Sequence, residues 1–427
     1  MSWLFLAVSL WGAWFTYNAL WPSPNGPRFS VVSFAAGWLT TELALHHVAW
    51  QLVATVAFGF AGAFEAWPGR LGLLITFASW AGLAVAQRRA HDAEGALEQA
   101  LVDGLGSDYR ERILPELRAQ SDTGIDWGRV WRPFPIRRTD VEIVKDIHFD
   151  RERGVDLHLD VYRSTSRPSG APVLFQIHGG GWIMGTKDEQ ALPLMNRMAA
   201  AGWVCVTTNY RLSPHATFPD HLIDCKRALR WIHEHVAEFG GNPDFVVVTG
   251  GSAGGHLAAL LALSANDPEY QPGFEALDTS VRGCVPFYGV YDFSNRNRTY
   301  THDGLLEVLE QRIMKGGREE IPEAWDRASP ITRVSANAPP FFAIHGDADT
   351  LVPVGEAREF VKALREKTRE PLAYAELSGA QHAFELFPSV RTLHTVGAVH
   401  RFLAYLYSDY LRERHAGAPD HGEAAAA

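Results

Sequence analysis

Residues 249–255 read Thr249-Gly250-Gly251-Ser252-Ala253-Gly254-Gly255. They stand between the apolar run Phe245-Val246-Val247-Val248 and the run His256-Leu257-Ala258-Ala259-Leu260-Leu261-Ala262-Leu263. The first run is short and β-branched, as in a buried strand, and the second is made of strong helix formers. The pattern is strand, tight turn, helix, with a serine at the apex. Gly250 and Gly254 leave room where strand and helix nearly collide, and a strained turn pushes the Ser252 hydroxyl out above the sheet. The N–H of Ala253 then points at the oxygen of any carbonyl that the serine attacks.

Outward from this turn, short apolar runs at 141–149, 155–162, 173–178, 203–209, 245–249, 283–288, 341–345 and 373–377 read as strands. Helical patterns separate the later ones, at 220–239, 253–264, 354–367 and 389–412. This alternation predicts an α/β fold, a mostly parallel sheet with helices on both faces. Such sheets carry their sites on the loops beyond the strands' C-terminal ends. Beyond the run at 173–178 stands His178-Gly179-Gly180-Gly181-Trp182. Its glycines let backbone N–H groups approach a developing oxyanion. Gly180 and Gly181 are therefore expected to share that role with Ala253, with Gly179 as a neighbouring candidate. A phosphate cradle is excluded, because no Gly-Lys-Ser/Thr accompanies the glycines. His178 is read as structural, holding the loop by a hydrogen bond.

A nucleophilic serine needs a base, and the base needs an orienter. The loop after 341–345 reads Gly346-Asp347-Ala348-Asp349-Thr350-Leu351-Val352-Pro353. The loop after 373–377 reads Ser378-Gly379-Ala380-Gln381-His382-Ala383-Phe384. His382 is assigned as the base and Asp349 as its orienter, with Asp347 the competing acid in the same loop. His256, His394 and His400 lie in helical patterns and read as packed or surface histidines. The chemistry calls for no metal or organic cofactor.

These motifs, in the order HGGGW, GGSAGGH, HGDADTLVP and GAQHAF, resemble the hormone-sensitive-lipase-like branch of the α/β-hydrolases over roughly 141–410. Asn209-Tyr210-Arg211-Leu212-Ser213-Pro214 is similar to that family's structural turn. The resemblance implies a serine carboxylesterase acting on short-to-medium acyl esters. With its hydrophobic N-terminus the chain looks most like bacterial membrane-associated carboxylesterases, and more loosely like prenylcysteine methylesterases. A methylesterase or deacetylase acting on a lipidated or membrane-partitioned substrate is thus the second enzymatic reading. A ligand receptor on a hydrolase fold is the non-enzymatic one, and the presence of His382 opposes it. Gly251 departs from the branch, much of which has Asp before the nucleophile. Lid segments are expected from 127–138 and 292–323.

The 427 residues carry a formal net charge of −10, which opposes a nucleic-acid partner. Cys205, Cys225 and Cys284 are too few for a disulfide framework and match no zinc spacing. Up to residue 90 the only charged side chains are Arg28, Glu42, Glu65, Arg70, Arg88 and Arg89. Eight of the fourteen tryptophans lie there too. Apolar stretches at 2–21, 31–64 (best helix 38–60) and 71–86 predict three membrane spans in a region 1–90, with two spans plus an interfacial helix as the alternative. Glu42 and His46, four apart, share a helical face on which they are able to pair. An amphipathic linker and arm at 91–140, marked by Leu97, Leu101 and Leu105, leads to a catalytic domain at 141–414 and a tail at 415–427. Arg28, Arg88 and Arg89 outnumber Arg70, so the positive-inside rule predicts a multi-pass inner-membrane protein with a cytoplasmic catalytic domain. The expected partners are the membrane and a small-molecule or lipid ester.

Overall fold

The computed structural model describes residues 1–122, 124–134 and 136–416. Eight strands form one sheet: β1 (Val141–Glu152), β2 (Val155–Ser164), β3 (Ala171–Ile177), β4 (Val204–Thr208), β5 (Gly241–Gly251), β6 (Gly283–Phe287), β7 (Phe341–Gly346) and β8 (Leu372–Leu377). Their spatial order is β1-β2-β4-β3-β5-β6-β7-β8. The pairs β1–β2 and β2–β4 are antiparallel, and every other pair is parallel. All residues of β3, β4, β6 and β7 are buried, so these strands read as mainly apolar runs, with Gln176, Thr207, Thr208 and His345 as buried polar exceptions. The edge strand β8 instead alternates between buried and half-buried positions.

Two cores flank the sheet. One joins it to the helices Asp220–His235, Ala253–Leu263 and Gly355–Lys367. The other joins it to Leu192–Ala200 and to the last helix, Val390–Ala416, which passes the domain end expected at 414. Of the tail expected at 415–427, His415 and Ala416 close this helix and residues 417–427 lie outside the described residues.

The N-terminal region forms α1 (Ser2–Leu20), α2 (Pro27–Glu42), α3 (Ala44–Phe60) and α4 (Trp67–Leu105). The second expected span is corrected: the chain breaks at Leu43, and α2 and α3 meet at 89°. Glu42 and His46 therefore do not share a helical face. Glu42 turns into the catalytic body and forms an ion pair with Arg391, while Ser389 donates to it at 2.7 Å. His46 Nε2 lies 3.4 Å from the Trp131 carbonyl oxygen. The expected count of three spans finds no support. Among the described residues only α4 is long and apolar enough to cross a membrane, and the bent pair would add one more at most. The helix α1 is long enough, but Thr16, Tyr17 and Asn18 lower its apolarity.

The boundary drawn at residue 90 falls inside α4, which runs unbroken for 39 residues, ~58 Å at ~1.5 Å per residue. Its first half packs closely on α1. Thr16 and Ser79 hydroxyls lie 2.7 Å apart, and Thr76 donates to Ser9 at 3.0 Å. Its second half buries Ala93, Leu97, Leu101 and Leu105 in the second core. The composition changes at residue 90 because the helix passes from one surrounding to another.

Candidate active site

The turn after β5 places Ser252 at φ 58°, ψ −122°, a left-handed backbone that aims the side chain off the sheet. Glycine is required on either side of it. A Cβ on Gly250 would lie 2.4 Å from the Gly254 oxygen, and one on Gly254 would lie 2.1 Å from the Ile177 oxygen.

Ser252 Oγ lies 2.8 Å from His382 Nε2, and His382 Nδ1 lies 2.6 Å from Asp349 Oδ2. A carboxylate beside Nδ1 fixes the proton there and leaves the Nε2 lone pair facing the serine. Asp349 is itself held in place. Its Oδ1 accepts the N–H groups of Leu351 (2.9 Å) and Val352 (2.8 Å). Burial alone would raise its pKa. The charge on His382, together with hydrogen bonds from His345 and His382, outweighs burial and holds it well below the usual carboxylate range. Asp347 instead accepts the Gly379 N–H at 2.6 Å and braces the turn that precedes His382. The structure thus brings Asp349 to His382 and leaves Asp347 in a turn.

Gly180 and Gly181 take positive φ of 109° and 61°. Ala253 opens its helix, so its N–H has no intrahelical acceptor. Gly179 is engaged elsewhere, donating its N–H to Gln190 Oε1 at 2.6 Å. The glycine loop is braced from beneath. The His178 ring stacks on Tyr210 with centroids 4.4 Å apart, and the Tyr210 hydroxyl donates to the His178 oxygen at 3.1 Å. Trp182 Nε1 donates to His256 Nδ1 at 3.2 Å, and His256 Nε2 donates to the Ala328 oxygen at 2.7 Å. Burial pushes the His256 pKa down to about 3, which keeps the ring neutral in that bracing role. His400 is buried within the last helix, and His394 sits 3.9 Å from Glu94 of α4.

The sequence reading missed α2, which packs against the catalytic loops. Phe34 stands edge-on to His382 with ring centroids 6.2 Å apart, and Trp38 stacks on Phe34 at 5.4 Å. Trp38 Nε1 donates to the Ala383 oxygen at 2.8 Å, and Thr350 donates to the Ser30 oxygen at 3.0 Å. The two expected lid segments meet the same assembly. Ser30 and His302 share a hydrogen bond of 3.0 Å, and Phe134 packs on Phe387 at 5.7 Å. A signal was present in the sequence: Ser30, Phe34, Trp38 and Glu42 recur every four residues, one stripe along one helix face.

With this geometry in place, comparison with known proteins is specific. The BD-FAE family model matches residues 159–364. The probable carboxylic ester hydrolase LipM of Mycobacterium tuberculosis is 42% identical over 94% of this chain and 92% of its own length. Esterase LipQ of the same organism is 40% identical over 88% of this chain and 85% of its own. Among solved structures, the butyrate-bound thermophilic esterase Est2 of Thermogutta terrifontis is 25% identical. It superposes with a TM-score of 0.51 over 66% of this chain and 97% of that one.

Proposed function

The chain belongs to the hormone-sensitive-lipase-like α/β-hydrolases and is a carboxylic ester hydrolase, and from that premise we propose that it is a membrane-attached serine esterase working through Ser252, His382 and Asp349. The observation that carries this reading is the unbroken relay of 2.8 Å and 2.6 Å from Ser252 through His382 to Asp349. Ser252 Oγ bonds to the ester carbonyl carbon while its proton passes to His382 Nε2. The carbonyl oxygen becomes an oxyanion facing the N–H groups of Gly180, Gly181 and Ala253. Collapse of this intermediate breaks the bond to the alcohol oxygen, which leaves with the proton from His382. Water then attacks the acyl-enzyme by the same route, giving its proton to His382 and releasing the acid and free Ser252. Asp349 holds the imidazole tautomer and stabilises its charged form throughout.

Two features support membrane attachment. The α1–α4 contact is made by small residues and interhelical hydroxyl bonds, the packing favoured between helices in lipid. Large apolar side chains also stand exposed there, including Trp3, Trp11, Trp14, Phe60, Trp67 and Leu74. Arg88 and Arg89 follow the apolar half of α4 and Arg70 precedes it, which favours a cytoplasmic catalytic body. In this reading α2 supplies one wall of the acyl site through Phe34. The site then takes short-to-medium acyl esters that partition toward the bilayer.

The test is an acyl-length series of nitrophenyl esters assayed on protein in detergent and in vesicles, with Ser252→Ala as control. Turnover peaking between acetyl and octanoyl and vanishing in Ser252→Ala is the expected result. Turnover that survives Ser252→Ala would overturn the nucleophile. A preference for long-chain triglyceride emulsions would overturn the substrate class. Protease added to intact spheroplasts should leave the catalytic body uncut, and its digestion from outside would reverse the orientation.

A further inference from the structure

Glu385 stands three residues after His382, buried, and has no part in the relay just described. Its Oε2 accepts the hydroxyl of Tyr288, the residue that follows β6. Tyr288 is wedged against both halves of the catalytic pair. Its ring centroid lies 4.5 Å from that of His382. Its hydroxyl also fills the space beside Gly251, the residue before the nucleophile, where a Cβ would lie 2.7 Å from the tyrosine oxygen. A side chain at 251 and Tyr288 in this position exclude each other, so the glycine is the complement of the tyrosine.

From this wedge we infer that Glu385, acting through Tyr288, is a positioning residue for His382. The Glu385–Tyr288 hydrogen bond fixes the ring against which the imidazole packs. When ionised, Glu385 adds a second negative charge near the imidazolium that forms as Ser252 gives up its proton. The inference rests on the proposed triad.

The titratable and charged groups around Glu385 are Tyr288, His382 and Glu42, with Asp349 close enough to act on Tyr288 and Arg391 paired to Glu42. Burial dominates and raises the Glu385 pKa to about 7, against the lowering effects of the Tyr288 hydrogen bond and His382. Glu385 therefore changes charge within the working range of an esterase. The sign follows directly. An ionised Glu385 favours the positively charged imidazole that forms in the transition state, so its removal makes that form costlier and takes the charge change of Glu385 out of the pH profile.

The experiment is a kcat/KM and kcat profile over pH 5–9 for the full chain in detergent, with Glu385→Gln, Tyr288→Phe and the double variant. For Glu385→Gln the acidic limb of kcat/KM should move down by about one pH unit, kcat should fall about tenfold, and KM should barely change. The double variant should be no worse than Glu385→Gln alone, because both residues act in one chain. Glu385→Asp should keep part of the wild-type pH dependence. A Glu385→Gln profile with wild-type shape, whatever its height, overturns the inference. If Glu385→Gln fails to fold, Tyr288→Phe gives the same reading, and an unshifted acidic limb there overturns it as well. Ser252→Ala run in parallel separates the two readings. Activity in Ser252→Ala refutes the triad, whereas an inactive Ser252→Ala beside an unshifted Glu385→Gln refutes only the positioning role.

Discussion

The loops that follow β5, β7 and β8 and the helix α2 meet at the same site but place their residues there by different means. Ser252 follows β5 directly, Asp349 comes three residues after β7, and His382 five after β8. Each side chain is aimed by a strand end next to it in sequence. The helix α2 reaches the site through contacts far apart in the chain. Glu42 is 349 residues from Arg391, and Trp38 is 345 residues from Ala383. Local backbone geometry aims the first set, and long-range polar docking places the second. The first set should therefore govern chemistry with little effect on folding, and the second should govern stability and substrate binding.

Ser252→Ala is the largest break of that contrast. Loss of the nucleophile alone should lower kcat by about 10⁶-fold, to what binding and the oxyanion donors supply, while unfolding free energy changes by under about 0.5 kcal/mol. Denaturant titration beside single-turnover kinetics checks both halves. A destabilisation of several kcal/mol would mean that the apex serine is also structural.

Asp349→Asn comes next. An amide beside Nδ1 favours the wrong imidazole tautomer, so kcat should drop about 10⁴-fold. Asp347→Asn should cost under about tenfold, because it weakens a turn contact to Gly379 and leaves His382 oriented. The reverse ranking would show that His382 takes its orientation from the other acid in solution.

All eight strands and four of the helices that cover them were legible in the sequence, because burial on both faces writes apolar runs and amphipathic helices write their period, whereas the short helix Leu192–Ala200 was not. The approach of Ser252, His382 and Asp349 was legible for the same local reason. The bend at Leu43 was not. Apolar composition on both sides of Glu42 reads as one helix, and nothing near it in the chain announces a buried arginine in the last helix. The second half of α4 posed the opposite problem. Its Leu97–Leu101–Leu105 stripe marks an amphipathic helix plainly, but not that the helix continues one begun at Trp67. Composition locates a change of surroundings and is silent on whether the backbone breaks there.

The docking contacts are tested by Glu42→Gln. Neutralising one member of a fully buried ion pair leaves Arg391 charged and uncompensated, which costs about 3–5 kcal/mol. Glu65→Gln, at an exposed position, should cost almost nothing. Thermal unfolding of the two variants in the same detergent makes the comparison. Adding Arg391→Met to Glu42→Gln should recover most of the loss, since the orphaned charge is then gone. Equal stability of Glu42→Gln and Glu65→Gln would mean that α2 is not anchored through this pair.

The smallest effect belongs to Phe34, and it bears most directly on what α2 does for the reaction. The ring is half-buried and stands edge-on to His382, and in the proposed reading it forms a wall of the acyl site. Truncation to alanine removes an apolar wall worth about 1–2 kcal/mol to a chain that packs on it, or about 5–30-fold in kcat/KM. The loss should fall on KM and grow with acyl length, being slight for acetyl and full for hexanoyl esters, because only the longer chain reaches the wall. Phe29→Ala serves as the control. That ring is 70% exposed on the outer side of the same helix, so its removal should leave soluble-ester kinetics unchanged and weaken only adsorption to vesicles. An equal loss for acetyl and hexanoyl esters in Phe34→Ala would instead place the residue with Tyr288, as a prop for His382. In that case α2 would serve the orientation of the base and no longer the choice of substrate.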